Sequence, residues 1–447
     1  MRDIVMIGPV HPSPVRHYAR ALDEAERLQA FVTGYVYQPA RPLERICSAA
    51  DTLLKNRLSG ILRRRTLADV NPQRCRRAPS IEALYQLGRR VPLLRRLEPF
   101  QHHWKHHALI DRFAADSVLN ESTRLVLARE DGARASFQRA RQLGARTLYD
   151  LPTAHYRTVS QILEREEGEF PGICHVAGTS RHFSPARQAH KDAELEAADH
   201  VIAPSRFVER SLIQAGFPAE EISVLPFACE ASWLTDAQSG NGDPHRQDNV
   251  ILHVANLSLR KGTHRLLRVW KRLGAYRSHR LRLIGEMFLT SSFLKDFQGC
   301  YEHIPRLPQE ELRPHYAAAT AFVLPAAAEG FAVVILEALS YGLPILASRN
   351  SGAEGFLEDQ KQALFHEFGD EDQLASHLDW VLSHPRERAQ MACHAREKAR
   401  GWTWQDFRRD FLDIAGRLDE KASAASLPPT FGPYARETNL VKEPRTV

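Results

Sequence analysis

The chain has no apolar run of about 18 residues or more, the length a membrane-spanning helix needs, so none is expected in its 447 residues. Its opening apolar stretch, Ile4 to Ile7 behind Met1-Arg2-Asp3, is too short for a secretory leader and reads as a first strand. Cysteine is sparse: Cys47, Cys75, Cys174, Cys229, Cys300 and Cys393 stand singly, with no Cys-x-x-Cys pair. That argues against a disulfide framework or a zinc finger and suits reduced thiols in the cytoplasm. The dinucleotide fingerprint Gly-x-Gly-x-x-Gly is missing from the first loop, which reads Gly8-Pro9-Val10-His11-Pro12. No nicotinamide or flavin cofactor, and no other cofactor, is expected.

What is present is enough for two full cores: 43% of residues are hydrophobic and 26% charged. The pattern opens as strand, breaker-rich loop, helix (16–28, with Tyr18, Ala21, Leu22 and Ala25 at helical spacing) and second strand (31–36). Further strands are expected at 124–128, 147–151 and 201–203, with a helix at 206–215 stopped by Gly216. Gly240-Asn241-Gly242-Asp243-Pro244 marks a linker, after which the alternation restarts with a strand at 250–254, a helix at 263–272 and a strand at 280–284. The organisation expected is an N-terminal domain at 1–230, a linker at 231–249, a C-terminal domain at 250–400, a final helix at 401–420 and a disordered tail at 421–447.

The net charge of +6 is unevenly spread. Within the helical-looking insertion at 40–120, residues 55–105 carry Arg63-Arg64-Arg65, Arg76-Arg77, Arg89-Arg90 and Arg95-Arg96 interleaved with leucines. This basic amphipathic pattern suits an anionic membrane surface or anionic acceptor; nucleic acid is the weaker rival, and a solvated helical face is the plain alternative.

The densest signal lies at 321–347. Ala321-Phe322-Val323-Leu324-Pro325 reads as a buried strand ending at a proline. Glu329 follows in the loop, Glu337 comes eight positions later on a helix, and Ile345-Leu346-Ala347 reads as the next strand. Ligands of open α/β sheets bind at the carboxyl ends of strands, and a helix start there favours a phosphate. This resembles the E-x7-E region of retaining glycosyltransferases of family 4, the group 1 glycosyltransferases. Residues 254–262 resemble that family's donor-phosphate loop, 194–205 the close of its N-terminal domain, and 224–227 the passage between domains.

The resemblance implies an α/β protein of the GT-B fold, two Rossmann-like doubly wound domains facing across a cleft. It implies a metal-independent hexosyltransferase that moves a sugar from a nucleotide-diphosphate sugar to a glycan or lipid-linked acceptor. It also implies cell-surface polysaccharide or glycoconjugate synthesis, in the cytoplasm or on the inner face of the membrane. Lys261 would neutralise the β-phosphate; Asn256 stands where the family has an arginine, and the adjacent Arg260 would supply that charge. Glu329 would accept bonds from donor-sugar hydroxyls and Glu337 from the ribose. The backbone N–H groups of Gly330, Phe331 and Ala332 would face the phosphates, with Ala332 replacing a common glycine. His155 would sit near the donor sugar, and His11 on the acceptor side.

Two other patterns are set aside. His102-His103-Trp104-Lys105-His106-His107 spaces histidines for a metal, but no cysteine and no carboxylate beyond Asp111 completes a set. Asp370-Glu371-Asp372 reads as a helix cap rather than a cation-binding pair. Asn256 and Ala332 also suit an inactive nucleotide-sugar-binding scaffold on the same fold. A phosphorylase or a sugar epimerase is the third reading.

Overall fold

Two parallel sheets organise the computed structural model, which describes residues 2–10, 13–37, 65–67, 69–91, 102–175, 183–230, 232–234 and 249–424. The first sheet holds β1 (Ile4–Ile7), β2 (Leu28–Thr33), β3 (Cys75–Arg77), β4 (Leu125–Arg129), β5 (Arg146–Asp150), β6 (His200–Ala203) and β7 (Ile222–Val224). Its order is β3-β2-β1-β4-β5-β6-β7. The second holds β8 (Val250–Val254), β9 (Arg280–Ile284), β10 (Glu302–Ile304), β11 (Ala321–Leu324), β12 (Ile345–Ser348) and β13 (Ala363–His366), in the order β10-β9-β8-β11-β12-β13. Central strands such as Ile-Val-Met-Ile and Val-Ile-Leu-His-Val are buried throughout, which is why they read as unbroken runs rather than alternations. Helices cover both faces, as crossovers between parallel strands require. These are two Rossmann-like domains in the GT-B arrangement.

Several boundaries differ from those expected. The first helix runs Ser13–Glu24, and β2 begins at Leu28. Glu26 takes a left-handed φ of 54°, and the Arg27 N–H turns back to the Leu22 carbonyl. The helix therefore stops without the glycine or proline that would have announced it. Within the insertion read as helical, Cys75–Arg77 pairs with β2 and becomes the sheet's edge. A three-residue Cys-Arg-Arg strand has no alternation to read. Helices do follow in the described insertion, at Pro79–Arg90 and His103–Ser117.

The last helix extends to Ala424, past the expected end at 420. It lies on the first helix: Tyr18 packs 4.6 Å from Phe411 and 5.1 Å from Phe407, and His17 stacks on Trp404 at 4.1 Å. Phe407 and Phe411 are fully buried, so the chain's end fastens the second sheet's domain to the first.

Other ties cross between the sheets. The Thr290 N–H donates to the Ile173 carbonyl and the His175 N–H to the Phe288 carbonyl, each at 2.8 Å. Glu166, on the helix Tyr156–Glu169, meets the helix Thr263–Leu273 of the other domain. It accepts from His264 Nε2 at 2.9 Å and from Arg265 at 2.7 and 3.0 Å. All three side chains are buried.

Candidate functional site

β8 and β11 are neighbours at the point where the second sheet's order reverses, so the loops leaving their carboxyl ends lie side by side. Three local features fix them. The Ala327 N–H donates to the Arg260 carbonyl at 2.8 Å. Gly262 has φ 68° and packs so closely that a Cβ there would lie 1.7 Å from the Pro325 carbonyl oxygen. Fully buried His253 joins the parts from below. Its Nδ1 lies 2.8 Å from the Val323 carbonyl and its Nε2 3.0 Å from Thr263 Oγ1. A carbonyl only accepts, so Nδ1 carries the proton and Nε2 accepts from the hydroxyl. Burial holds this imidazole down to about 4, neutral near pH 7.

Glu329 sits between two cations on this platform. Lys261 Nζ lies 2.6 Å from Glu329 Oε1, and Arg260 reaches the same oxygen and, at 3.1 Å, the Ala328 carbonyl. Burial pushes the Glu329 carboxyl up, but the charges of Lys261 and then Arg260 outweigh it and hold the group below its ordinary value. Glu329 and Lys261 are mostly covered, at 11% and 12% side-chain exposure, while Arg260 at 37% opens to solvent. The three residues singled out from sequence are therefore one cluster. Asn256 is exposed in the same loop.

The helix Val333–Ser340 starts beside this cluster, and no side chain among the described residues caps it. An anion there would meet N–H groups of the first turn and the positive end of the helix. One expectation is corrected: the Ala332 N–H donates to the Ser351 carbonyl at 3.2 Å and does not face the loop opening. Phe331 turns inward, against Phe227 at 5.8 Å and Phe356 at 5.5 Å. Gly330 touches the opposite domain: a Cβ there would lie 1.7 Å from the Pro152 carbonyl oxygen, and Ser205 Oγ donates to the Gly330 carbonyl at 2.6 Å. A loop of one domain is thus seated against two segments of the other.

Glu337, on the same helix, is 7% exposed. It accepts from Tyr316 Oη at 2.8 Å and from Gln309 Nε2 at 3.2 Å; burial raises its pKa. Gln309 is exposed, so that bond can yield to a ligand hydroxyl.

His155 is placed elsewhere. It is the N-cap of the helix Tyr156–Glu169, with Nδ1 accepting from the Arg157 N–H at 3.3 Å. It lines a cavity of about 130 Å³ with Leu195, Leu212 and Phe217. Burial, then Arg157 and Lys191, hold it down to about 3, so it stays neutral. Among the described residues, its side chain makes no hydrogen bond or ion pair with Glu329, and its imidazole caps the helix. His11 lies outside the described residues. Asp370 caps the helix Glu371–Ser383 by accepting from the Asp372 and Gln373 N–H groups, as its sequence context indicated.

A second concavity occupies the corresponding position of the first sheet, where β1 and β4 meet. It is a cavity of about 460 Å³ lined by Pro9, Trp104, Arg129, Glu130, Asp131 and Arg187, among others. The legible signal for it was Arg129-Glu130-Asp131 directly after an apolar strand; nothing local tied Trp104 to those residues.

Residues 236–398 match the family described as glycosyl transferases group 1. That match takes in most of the second sheet's domain. The amylovoran biosynthesis glycosyltransferase AmsK of Erwinia amylovora is 27% identical over 225 residues, 47% of this chain and 54% of that protein. The chain spans about half the length of the curated relatives it matches. Among solved structures, sucrose-phosphate synthase from Thermosynechococcus elongatus aligns with a TM-score of 0.58 and 17% identity, over 94% of this chain and 100% of that one. Anabaena HepE in complex with UDP aligns at 0.55 and 16%, over 93% and 100%. At these identities the likeness to the two solved structures is one of fold.

Proposed function

We propose that this group 1 chain is a retaining glycosyltransferase that takes a sugar from a nucleotide-diphosphate sugar. The observation that carries this reading is Glu329 held between Lys261 and Arg260 at the switch point of the second sheet, beside an uncapped helix start. A diphosphate is a stronger partner for both cations than one carboxylate is. On donor binding, Lys261 and Arg260 turn to the phosphates, and Glu329 is released to accept bonds from the sugar hydroxyls. Glu337 offers its Gln309-facing oxygen to the ribose. The two cations carry the leaving-group charge, so the transfer is read as metal-independent. The acceptor enters the 460 Å³ cavity of the first domain, so bond exchange occurs where Gly330 meets Pro152. Attack from the leaving-group side keeps the anomeric configuration.

Calorimetric titration with uridine, guanosine and adenosine diphosphate sugars tests the reading. One class is expected to bind in the micromolar range. A folded protein that binds none of them would shift the assignment to a scaffold without donor chemistry.

Gly330→Ala is expected to lower kcat/KM by about 100-fold, because the loop must withdraw from Pro152 to admit a Cβ and misplaces Glu329. Steady-state kinetics, with circular dichroism to confirm folding, would check this; near-normal turnover would count against the closed contact as the reacting arrangement.

The acceptor is read as a glycan or lipid-linked molecule, and the setting as the inner face of a membrane. Support comes from the helix Pro79–Arg90, where Leu84 and Leu87 are each 55% exposed on a helix ending in Arg89 and Arg90. No helix of the described residues is long and apolar enough to cross a membrane. Double replacement Leu84→Glu and Leu87→Glu is expected to reduce co-sedimentation with phosphatidylserine vesicles several-fold. Unchanged sedimentation would remove this helix from the docking surface.

A further inference from the structure

The helix His103–Ser117 begins with three histidines on one side, at positions i, i+3 and i+4. One ring nitrogen from each of His103, His106 and His107 lies within 4.8 Å of those of the other two. His106 is the buried member, 6% exposed, with its ring stacked 4.3 Å from Tyr85. Among the described residues, neither its Nδ1 nor its Nε2 has a hydrogen-bond partner of good geometry, and both are buried. Its Nε2 lies 3.1 Å from Glu82 Oε2. Glu82 is itself held by Arg65 at 2.9 Å and by Gln86 at 2.9 Å. His103 and His107 stack at 4.6 Å and line the 460 Å³ cavity of the first domain.

We propose that His103, His106 and His107 form a three-imidazole site for a divalent transition ion of the zinc class, with Glu82 orienting His106 from behind. An orphaned, buried ring nitrogen is costly unless something takes its lone pair. A metal-binding histidine usually presents one nitrogen to the ion while the other donates to a carboxylate, and Glu82 Oε2, 3.1 Å from His106 Nε2, is close enough to take that bond once the ring is turned by an ion. Three neutral nitrogens suit zinc, with bonds of about 2.0–2.1 Å. The nitrogens must draw together to about 3.4 Å to reach tetrahedral angles at that bond length. Exposed His103 is free to make that movement.

The neighbouring carboxylates are otherwise engaged: Glu130 pairs with Lys191, and Asp131 with Arg187 at 2.6 Å. The fourth position is left to water or to an oxygen of a molecule in the cavity. Asp111, the carboxylate that sequence spacing offered as a ligand, accepts instead from the Ala135 and Ser136 N–H groups at 2.6 and 3.1 Å. The missing third ligand is an imidazole, His106. The site lies apart from the Lys261–Glu329 cluster, so it adds to the transfer reading without depending on it.

The test uses the full chain, free of any affinity tag and stripped with a chelator. Titration with Co²⁺ is followed by visible absorption and titration with Zn²⁺ by calorimetry. One equivalent is expected, with the intense cobalt bands of a tetrahedral nitrogen site. His103→Ala and His106→Gln should each weaken binding by at least tenfold, and Glu82→Gln by about 10- to 100-fold. His102→Ala should leave binding unchanged. Absence of binding overturns the proposal. So does equal affinity in His103→Ala, which is exposed and tests the site even if His106→Gln fails to fold. Loss of the same size in His102→Ala would mean loose chelation by surface histidines and would also overturn it.

Discussion

Replacing Lys261 with alanine is expected to abolish donor binding at micromolar concentrations and to lower kcat/KM by about 10²- to 10³-fold. The ammonium is mostly covered and lies 2.6 Å from Glu329. Burial acts to lower its pKa and Glu329 acts to raise it, with burial prevailing. It is therefore a cation placed where water screens it poorly, which is what makes it effective against a diphosphate. Removing it leaves Arg260 as the one cation paired with Glu329 among the described residues, and Arg260 is 37% exposed. Arginine at 261 should not restore activity, since a planar fork does not replace a compact ammonium in a covered pocket. Calorimetry with the donor and steady-state kinetics would show the loss. A Lys261→Ala protein that bound the donor as well as wild type would remove the phosphate role from this loop.

The second large effect is expected from Glu166→Ala, far from the donor loop. Glu166 is shared by His264 and Arg265 across the domain boundary. Burial raises its pKa, but the bonds from His264 and then Arg265 prevail and hold the carboxyl below its ordinary 4.5. Without it, His264 Nε2 loses its acceptor and Arg265 keeps the carboxylates of Glu169 at 2.5 Å and Glu371 at 3.3 Å. Breaking one side of a buried pair costs about 3–5 kcal/mol, and the two remaining partners place this case near about 3 kcal/mol. Urea denaturation should show a lower midpoint, with the domains unfolding in two steps. The pH sign follows from the lowered pKa. The stabilisation is fully present above about pH 4.5 and is lost as pH falls through the folded-state value. Wild type should therefore lose its advantage over Glu166→Ala on acidification. An unchanged midpoint at neutral pH would show that the domain contact rests on the last helix and the backbone ties rather than on Glu166.

The cluster of Lys261, Arg260 and Glu329 was legible because each residue lies within a few positions of a strand end. A buried parallel strand is an unbroken apolar run, and its carboxyl end is where a ligand loop must be. At His155, expected near the donor sugar from the resemblance, the imidazole caps the next helix. Position after a strand does not decide where a side chain points. Ala332 was placed correctly in the chain, but its N–H is taken by Ser351, nineteen residues later, a partner no local pattern reveals. Glu166, His264 and Arg265 were passed over because a glutamate inside a polar helix looks solvated until a second domain covers it.

The sequence alone determined the alternation of strands and helices, the two-domain α/β architecture and the loops that follow β8 and β11, because these follow from periodicity and from residues adjacent in the chain. It also placed the five histidines at 102, 103, 106, 107 and 155 without saying which would be caps, stacks or ligands. Only the tertiary structure decided that His106 is buried beside Glu82 with neither ring nitrogen hydrogen-bonded among the described residues, that Gly330 must touch Pro152, and that Glu166 binds the domains together. Those outcomes depend on which surfaces lose water when distant segments meet. Desolvation turns an ordinary glutamate or imidazole into one that must find a partner.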